Sequence, residues 1–555
     1  MFEIIKKILF SLKIIKIRIF FIFIFSLIVS ILDIINIGLI IPIVNKFIEG
    51  DNLSNLGFFE YLNNFSALEL VIIFVFIIFL KFIFTSYNLF FVTKTGFIIR
   101  EYWTNTLLKN FLKSEYYTND SQGKIINDLT IEPLNAARSV IQSLNLLSTI
   151  VITFFVFLTL LVIETKLIIT ITLIFLIYFF LIRLYTDKYS KIFGDKRIDL
   201  NREFMTLNSE IIRNVREIKL YNYIKHFVEE EKILLSKYSK IHTFFVLVTK
   251  LPGMSNELIV IASLGLIFLI NSFFGDTNSI FITKIAFIGY GGLKINNYLN
   301  RIIEYRMKIL SNLPSFNSVI EKIQVKEIIT GNKICEELIN TISLKNVSFN
   351  YPEKKIFSKI NFTIKRGQKI FIYGDSGVGK STLLDLLSKN LKPTEGNIKI
   401  NNYDILDLDS KKFRESISYI PQNPFFFRSS IKDNIFLGKN YDKKYFKELL
   451  NKTNCQEFIN KLKNKQNHVL NDEGSNLSGG QLKRIALVRA LIRKPEVLLL
   501  DEVTNGLDPK NTTLILKLLL GFRHMTVILV SHEKKLSKQF DKTIKLSNFK
   551  LYTER

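Results

Sequence analysis

Gly374-Asp375-Ser376-Gly377-Val378-Gly379-Lys380-Ser381-Thr382 is the stretch that decides the fold of this chain. It fits G-x-x-x-x-G-K-[ST], the loop that wraps nucleotide phosphates. The apolar run 370–373 before it predicts a buried strand, and residues 382–387 after it predict an amphipathic helix. Strand, glycine loop and helix stand in the order that such a loop requires. The sequence therefore predicts a nucleotide-binding α/β domain.

The residue types in this loop suit the binding of ATP. Gly374, Gly377 and Gly379 let backbone N–H groups converge on phosphate oxygens at a helix N-terminus, where a Cβ would block the approach. Lys380 is expected to reach the β and γ phosphates, and the Ser381 hydroxyl to complete the shell of a bound Mg²⁺. All nine residues of the loop are candidate ATP-binding residues, and Ser381 is also a candidate metal ligand.

A second element lies further along the chain, where the apolar run 497–500 predicts a buried strand. Two adjacent carboxylates, Asp501 and Glu502, follow the strand. At such a position one carboxylate holds the Mg²⁺ shell and the next polarises the attacking water. We expect Asp501 to bind the metal and Glu502 to act as the general base.

Leu477-Ser478-Gly479-Gly480-Gln481 lies about 20 residues before Asp501 and precedes a stretch, 483–491, with helical spacing. Here the sequence resembles the ATP-binding cassette (ABC) superfamily. Its signature motif is a glycine turn at a helix N-terminus, which suits the binding of a γ-phosphate. The resemblance implies that Ser478, Gly479, Gly480 and Gln481 bind ATP.

Further motifs of the superfamily match in order along this sequence. By this resemblance Tyr351 stacks on adenine, Gln422 contacts Mg²⁺ and the attacking water, and His532 senses the γ-phosphate. The loop Asn505-Gly506-Leu507-Asp508 matches the one that crosses between two cassettes, so Asp508 is a candidate for the ATP site. Val503 and Gly506 replace the small residues, such as Ala, that are commoner there; no loss of hydrolysis is expected from either.

The first 300 residues are rich in Phe and Ile and contain apolar runs longer than the roughly 20 residues that cross a hydrocarbon core. They predict six membrane segments with long cytoplasmic extensions, at residues 17–47, 67–93, 140–163, 166–186, 243–272 and 279–300. The long connections 94–139 and 187–242 are rich in Lys and Arg, whereas the short connections carry acids and no basic residue. The positive-inside rule then places both termini in the cytoplasm. The first apolar stretch predicts a retained membrane helix and not a signal peptide, because it lacks a small-residue cleavage site.

The formal net charge of +26 does not indicate nucleic-acid binding. From Asn340 onward 39 Lys and Arg oppose 21 Asp and Glu, which gives +18 there and leaves +8 before it. We find no basic stripe interleaved with stacking aromatics. A generally Lys-rich composition explains the charge, and attraction to anionic lipid head groups is the alternative. The two cysteines, Cys335 and Cys455, both fall in the part expected in the cytoplasm, so no disulfide is predicted.

Four ionisable residues fall within the apolar segments: Asp33, Lys81, Arg183 and Glu257. Such groups usually face a bundle interior or a wet cavity. Lys81 and Arg183 are candidates for contact with an anionic substrate group. Structural pairing with Asp33 and Glu257, or placement of some of them in water, is the alternative.

Other local patterns give narrower predictions. Leu251-Pro252-Gly253 is expected to kink or break the fifth segment, and the stretch 313–317 to begin a helix that leads into the linker. Helix tips near 116–124 and 219–229 are expected to contact the nucleotide domain. The aromatic stretch 58–65 predicts either a short amphipathic helix on the outer membrane surface or an ordinary packed loop.

Six membrane segments with long cytoplasmic extensions, followed by one cassette, resemble the exporter type of ABC transporter. This resemblance covers nearly the whole chain. It implies a membrane domain at 1–325, a linker at 326–340 and a cassette at 341–555. In this superfamily the signature of one cassette completes the ATP site of the other, so the resemblance implies that the chain pairs, as a homodimer or with a sister chain. The expected place is the inner membrane of a bacterium.

Two short runs, Leu32 to Pro42 and Leu313 to Ser315, resemble bacterial flippases of lipid-linked oligosaccharides. This resemblance implies an amphipathic or lipid-linked substrate. A multidrug or lipid A-type exporter is the first alternative, and a peptide exporter is a further one. An ATP-gated channel or regulator is the alternative of another class; the intact Glu502 favours a pump.

Overall fold

The fold was obtained as a computed structural model that describes residues 15–48, 65–113, 121–163, 165–274, 279–324, 331, 333–334, 337–351, 354–471, 474–547 and 550–554. Two compact units divide the chain between residues 326 and 327. The first unit is helical, and the second contains two sheets with helices around them. The predicted fold class is thereby confirmed.

The helices of the first unit are mostly far longer than a bilayer requires. They are α1 (Ile15–Gly38), α2 (Ile40–Ile48), α3 (Ala67–Lys113), α4 (Gln122–Ile163), α5 (Thr165–Arg213), α6 (Val215–Leu220), α7 (Ile224–Phe274) and α8 (Ser279–Gln324). Within the described residues, three stretches are long and apolar enough to cross a membrane: Ile17–Val44, Ala67–Leu112 and Gln122–Val162. Large apolar side chains such as Phe76, Phe79 and Phe82 on α3 are exposed, as expected for a surface in contact with lipid.

Two predictions, that a helix breaks at Pro252 and that one begins near Pro314, were wrong, whereas a kink at Pro252 stays a prediction. Helix α7 continues through Pro252, so that residue does not break the fifth segment, and α8 runs through Pro314, so no helix begins there. A proline costs a helix one backbone hydrogen bond and a steric adjustment. Packing of the long helices outweighs this cost: Gly194 of α5 lies so close to α8 that a Cβ on it would be 2.6 Å from the Ser311 carbonyl oxygen.

The second unit begins with antiparallel strands. Strands β1 (Thr341–Tyr351), β2 (Lys354–Lys365), β4 (Glu395–Ile400) and β5 (Tyr403–Asp404) form a four-stranded sheet in the order β2-β1-β4-β5. Strand β1 is antiparallel to both of its neighbours.

The larger sheet has six strands in the order β10-β9-β3-β8-β7-β6. They are β3 (Lys369–Tyr373), β6 (Ile417–Ile420), β7 (Val497–Asp501), β8 (Thr526–Val530), β9 (Lys542–Ser547) and β10 (Lys550–Glu554). All neighbours are parallel except β10 with β9. In β7 and β8 every residue is buried, with alternate side chains entering different apolar clusters, as expected of a parallel sheet covered on both faces.

Helices surround this sheet and connect its strands. They are α9 (Lys380–Leu387), α10 (Ser410–Ser416), α11 (Ile431–Phe436), α12 (Lys443–Lys452), α13 (Cys455–Lys461), α14 (Gly479–Leu491) and α15 (Pro509–Leu520), with short 3₁₀ turns at Lys465–Asn467 and Lys534–Gln539. Because parallel strands end at the same edge, the segments that follow β3, β6, β7 and β8 meet there. Ligands of open α/β sheets bind at this edge.

Candidate active site

The glycine loop connects β3 to α9, as the sequence predicted. At two positions of this loop, neighbouring residues of the protein leave space only for glycine, whether or not a phosphate is bound. A Cβ on Gly374 would lie 2.3 Å from the Leu546 carbonyl oxygen of β9. Gly379 has φ +103°, and a Cβ there would lie 2.3 Å from Ile356 Cγ2. These contacts hold the loop close against the sheet and leave no room for a side chain.

Lys380 is buried at the start of α9. Its ammonium donates hydrogen bonds to the carbonyl oxygens of Gly374, at 2.9 Å, and Asp375, at 2.8 Å. Burial lowers the pKa of Lys380, and the nearby carboxylates of Glu502 and Asp501 oppose that effect. The charge therefore lies inside the curve of the loop, where a phosphate would be bound.

Asp501 lies at the end of β7 and is buried. Burial raises the pKa of Asp501, while a hydrogen bond from Ser381 and the ammonium of Lys380 oppose the rise. Ser381 and Asp501 thus provide oxygen atoms in one place, which is the donor type that Mg²⁺ prefers. Within the described part of the chain no group of three or more His, Cys, Asp or Glu could hold a metal by itself. The residues present fit a Mg²⁺ ion held chiefly by phosphate oxygens and water.

Glu502 is the centre of a hydrogen-bonded group at the same edge. Its carboxylate is almost fully buried, and its backbone has φ +51°, which is uncommon for a residue other than glycine. Glu502 Oε2 accepts hydrogen bonds from Gln422 Nε2 at 2.7 Å and from Asn505 Nδ2 at 2.8 Å. On the other side, His532 Nε2 lies 2.6 Å from Glu502 Oε1. The structure thus brings together the three predicted catalytic residues Glu502, Gln422 and His532, although they follow three different strands.

Tyr351, the residue predicted to stack on adenine, lies at the end of β1. Its phenol oxygen is 3.5 Å from the Thr382 hydroxyl, in the first turn of α9. The ring is therefore beside the glycine loop, as an adenine-binding role requires.

The signature residues lie in a different place. Ser478 caps helix α14, where its hydroxyl accepts from the Gln481 backbone N–H and its own N–H donates to Gln481 Oε1 at 2.9 Å. Ser478 and Gln481 thus form a capping box, which leaves the N–H groups of Gly479 and Gly480 for an external anion. These four residues line a cavity of about 530 Å³ together with the loop 505–508. None of the glycine-loop residues appears in the described lining of this cavity, so the two halves of the predicted ATP site are separate within one chain.

Asp508, a further candidate for the ATP site, caps helix α15. Its carboxylate accepts from the Asn511 backbone N–H at 2.9 Å and from the Asn511 side-chain amide. These hydrogen bonds lower the pKa of Asp508. The observed contacts give this side chain the role of capping α15, and its predicted role in the ATP site stays a prediction.

Three residues near the site were not singled out from the sequence. Asn505 bonds the Glu502 carboxylate, Lys483 reaches the backbone of the same turn, and Lys354 Nζ lies 3.5 Å from the Gly377 carbonyl oxygen. Asn505 belongs to the recognised loop 505–508 and lies three residues after Glu502. That closeness in sequence could have indicated the contact. Lys483 and Lys354 gave no such signal, because their contacts depend on how separate elements pack.

The predicted intramembrane residues are partly explained by ion pairs. Lys81 Nζ lies 2.6 Å from Asp33 Oδ1, and Lys294 Nζ lies 3.4 Å from the same oxygen. Tyr298 donates to the other oxygen of Asp33. Arg183 pairs with Asp187 at 3.8 Å. The pair of Lys81 with Asp33 is the alternative that the sequence left open. The partner of Arg183, Asp187, was not predicted, and Lys294 was missed.

Some predictions concern residues outside the described part of the chain. They are the stretch 58–64 of the aromatic outer loop, the stretch 116–120 of the first helix tip, Cys335, and the side chain of Glu257.

Residues 357–505 match the sequence profile of the ABC transporter family. The sublancin-168-processing and transport ATP-binding protein of Bacillus subtilis is 32% identical over 265 residues, which cover 45% of this chain and 37% of the relative. A putative export ATP-binding/permease protein of Rickettsia bellii is 39% identical over 204 residues, 36% of each chain. The matches thus span well under half the length of these curated relatives.

The fold of the whole chain is similar to that of a solved structure, a bacterial Atm1-family ABC exporter with ATP bound. The TM-score is 0.81, at 18% sequence identity, and the match covers 97% of this chain and 94% of the other. The resemblance to the ABC superfamily that the motifs indicated is confirmed, and so is the exporter type of the fold.

Proposed function

We propose that this chain, which carries an ATP-binding domain of the ABC transporter family on the fold of an ABC exporter, couples ATP hydrolysis to the export or flipping of an amphipathic substrate. The observation that supports hydrolysis best is the position of the Glu502 carboxylate. It is buried, lies at the sheet edge beside the glycine loop, and contacts both Gln422 and His532. A chain that only bound ATP would not need a carboxylate held in this way.

In this proposal the glycine loop and Lys380 bind the phosphates of ATP, and Tyr351 binds its adenine. Ser381, Asp501 and Gln422 would hold Mg²⁺, which when bound neutralises charge on the β and γ phosphates. Glu502 takes a proton from the attacking water while the water oxygen bonds to the γ-phosphorus and the bond to the β–γ bridging oxygen breaks. His532 orients the Glu502 carboxylate at its other oxygen. ADP and inorganic phosphate are the products.

The protein is proposed to act as a dimer, because the signature cavity and the glycine loop are separate within one chain. Two chains related by a twofold axis would place the signature of each against the ATP of the other. Since Glu502 and the signature are both intact, a homodimer would have two competent sites. A heterodimer with a sister chain would use the same contacts.

Support for an anionic head group on the substrate comes from the described residues around Asp33. Lys81 and Lys294 share this one carboxylate, so the group carries one excess positive charge in segments proposed to lie in the membrane. One turn further along α1, Asn36 is fully buried, and neither of its side-chain polar atoms has a hydrogen-bond partner within the described residues. An uncompensated charge in a membrane is costly and usually marks a functional site. A lipid-linked phosphate would compensate it.

A lipid-linked oligosaccharide is therefore the proposed substrate, and a bacterial inner membrane with both chain termini in the cytoplasm is the proposed location. ATP would favour the state with closed cassettes by binding it more tightly, and hydrolysis would reset the transporter. The relative from B. subtilis, named for the processing and transport of sublancin-168, makes peptide export the second candidate.

The test is ATPase activity of the purified protein in lipid vesicles, with and without a polyprenyl-pyrophosphate oligosaccharide, together with flipping of a labelled lipid-linked glycan. Stimulated hydrolysis and ATP-dependent flipping, both lost in Glu502→Gln, are the expected results. Hydrolysis without flipping would retain the ATPase and refute the proposed substrate. An absence of hydrolysis in the wild-type chain would refute the pump and favour a channel or regulator.

A further inference from the structure

Lys483 lies on α14, the helix whose N-terminus carries the signature, and its side chain extends to the turn that follows β7. Lys483 Nζ lies 3.2 Å from the Glu502 carbonyl oxygen and 2.6 Å from the Asn505 carbonyl oxygen. One ammonium thus donates to two backbone oxygens of the turn that presents the Glu502 carboxylate. Burial lowers the pKa of Lys483, and the charge of Glu502 opposes that effect.

The turn contacted by Lys483 has a strained backbone. Glu502 has φ +51°, a region that a residue with a side chain occupies only when its surroundings hold it there. Its N–H donates to the Val530 carbonyl oxygen at 2.9 Å, and its carbonyl oxygen accepts from the Asn505 N–H at 3.2 Å. The Asn505 side chain in turn bonds the Glu502 carboxylate. Lys483 therefore fixes both carbonyl groups of a turn whose conformation decides where the carboxylate points.

We infer that Lys483 is a positioning residue for Glu502: it holds the 502–505 turn in the conformation that aims the carboxylate at the attacking water. The inference rests on the proposed role of Glu502 as the general base. Small errors in the position of a catalytic group reduce the rate strongly, so loss of Lys483 should slow the chemical step while ATP binding persists. Lys483 and the signature lie on the same helix, α14. Lys483 therefore also links Glu502, the base of one ATP site, to the helix that would contact the second ATP site of the dimer.

A purely structural lysine would have a different effect, and the same domain contains a matched example. Lys369 is buried at the start of β3, where its ammonium donates to the carbonyl oxygens of Phe522, at 2.7 Å, and Met525. It makes the same kind of bonds as Lys483, but at the opposite end of the strand from the glycine loop. Lys369→Met is therefore a control for the loss of one ammonium and two backbone contacts.

The first experiment measures kcat and KM for ATP hydrolysis by the full chain in lipid vesicles, for the wild type, Lys483→Met, Lys483→Arg, Lys369→Met and Glu502→Gln. Lys483→Met should lower kcat about 10-fold or more, which is the lower range for a lost hydrogen bond to a charged group. KM should stay within about twofold, and Lys483→Arg should recover most of kcat because a guanidinium can donate to both oxygens. Lys369→Met should lower the melting temperature with kcat close to that of the wild type.

Three outcomes would overturn the inference. They are an unchanged kcat in Lys483→Met, a loss no larger than that in Lys369→Met, or no recovery in Lys483→Arg. If Lys483→Met does not fold, Lys483→Gln replaces it, since glutamine keeps a donor without the charge. Near-normal activity of Glu502→Gln would instead refute the general base itself, so the two failures can be distinguished.

A second experiment uses mixed dimers, purified through a different tag on each protomer, in which one chain carries Glu502→Gln. Placing Lys483→Met on the other chain removes the lysine beside the only intact base, and activity should fall about 10-fold further. Placing Lys483→Met on the chain that already carries Glu502→Gln should leave the remaining activity within about twofold. The reverse pattern would show that Lys483 acts through the signature on the partner's site and would overturn the inference.

Discussion

His532 Nε2 lies 2.6 Å from Glu502 Oε1, although the two residues follow different parallel strands, β8 and β7. Gln422, which follows β6, occupies the other oxygen of the same carboxylate. The carboxylate is thus held from both sides by groups that the sheet brings to one edge. This arrangement orients Glu502 and leaves its charge available to accept a proton.

Glu502→Gln should reduce ATP hydrolysis at least about 100-fold, the lower end of the effect of a general base. The amide keeps the size of the side chain but cannot accept the proton of the attacking water. ATP should therefore remain bound, and the protein should be trapped with closed cassettes. Steady-state phosphate release and retention of radiolabelled ATP on a desalting column would measure the two effects.

The control for that variant is Glu448→Gln on α12, since Glu448 is exposed and pairs with Lys452 within its own helix. It should hydrolyse ATP at the wild-type rate. Turnover of Glu502→Gln close to that of Glu448→Gln would remove Glu502 from the role of base.

Lys380→Ala should abolish ATP binding at micromolar nucleotide. The variant loses the charge inside the glycine loop and its hydrogen bonds to the loop carbonyl oxygens of Gly374 and Asp375. Titration of a fluorescent ATP analogue by anisotropy would check this, with Lys392→Ala, a change at an exposed lysine beyond the same helix, as the control. Unchanged affinity in Lys380→Ala would count against the glycine loop as the phosphate site.

The sequence predicted the strands β3 and β7 and the helix α14 because their patterns are local: apolar runs end in polar residues, and a glycine turn begins a helix. It predicted which residues meet only through family resemblance. The bond from Lys483 to the Glu502 turn joins a helix to a strand end, and no spacing in the sequence indicates it.

In the membrane unit, local sequence signals predicted helix ends that the structure does not contain. Pro252 and Pro314 are strong local signals, yet the helices continue through them, because contacts along helices of more than 40 residues outweigh one lost hydrogen bond. Lys294 was missed although it stands in a predicted segment. Its ion pair is with Asp33, which is 261 positions away in the sequence, so no local pattern indicates the contact.

Cys455 should not react with iodoacetamide in the folded protein at pH 8. It is fully buried at the start of α13, and burial raises the pKa of its thiol to about 12. The thiolate, which is the reactive form, would make up only about 1 part in 10⁴ at pH 8 even if the reagent could reach it. Reactivity should appear only when the protein unfolds and exposes the thiol.

Peptide mass spectrometry after alkylation, with and without denaturant, would measure this directly. Substantial labelling of Cys455 under native conditions would show that the helices around α13 open readily, contrary to the packing described. The same labelling measured against denaturant concentration would report the stability of this part of the cassette.

Lys294→Met tests the excess positive charge beside Asp33. Lys294 is preferable to Lys81 for this test because Lys81 is the nearer partner of Asp33, at 2.6 Å against 3.4 Å, and that pair would stay intact. The variant should weaken the stimulation of ATPase activity by a lipid-linked pyrophosphate, with the half-maximal concentration rising about 10-fold, since a hydrogen bond to a charged group is lost. Stimulation by a neutral amphipath that the wild type accepts should change much less, because that substrate has no phosphate to pair with the ammonium.

Lys250→Met is the control, since Lys250 is largely exposed and pairs with Glu304 at 3.8 Å. Equal responses of Lys294→Met to the anionic and the neutral substrate would show that Lys294 serves only the packing of α1 against α8, and the substrate's charge would then have to be recognised elsewhere.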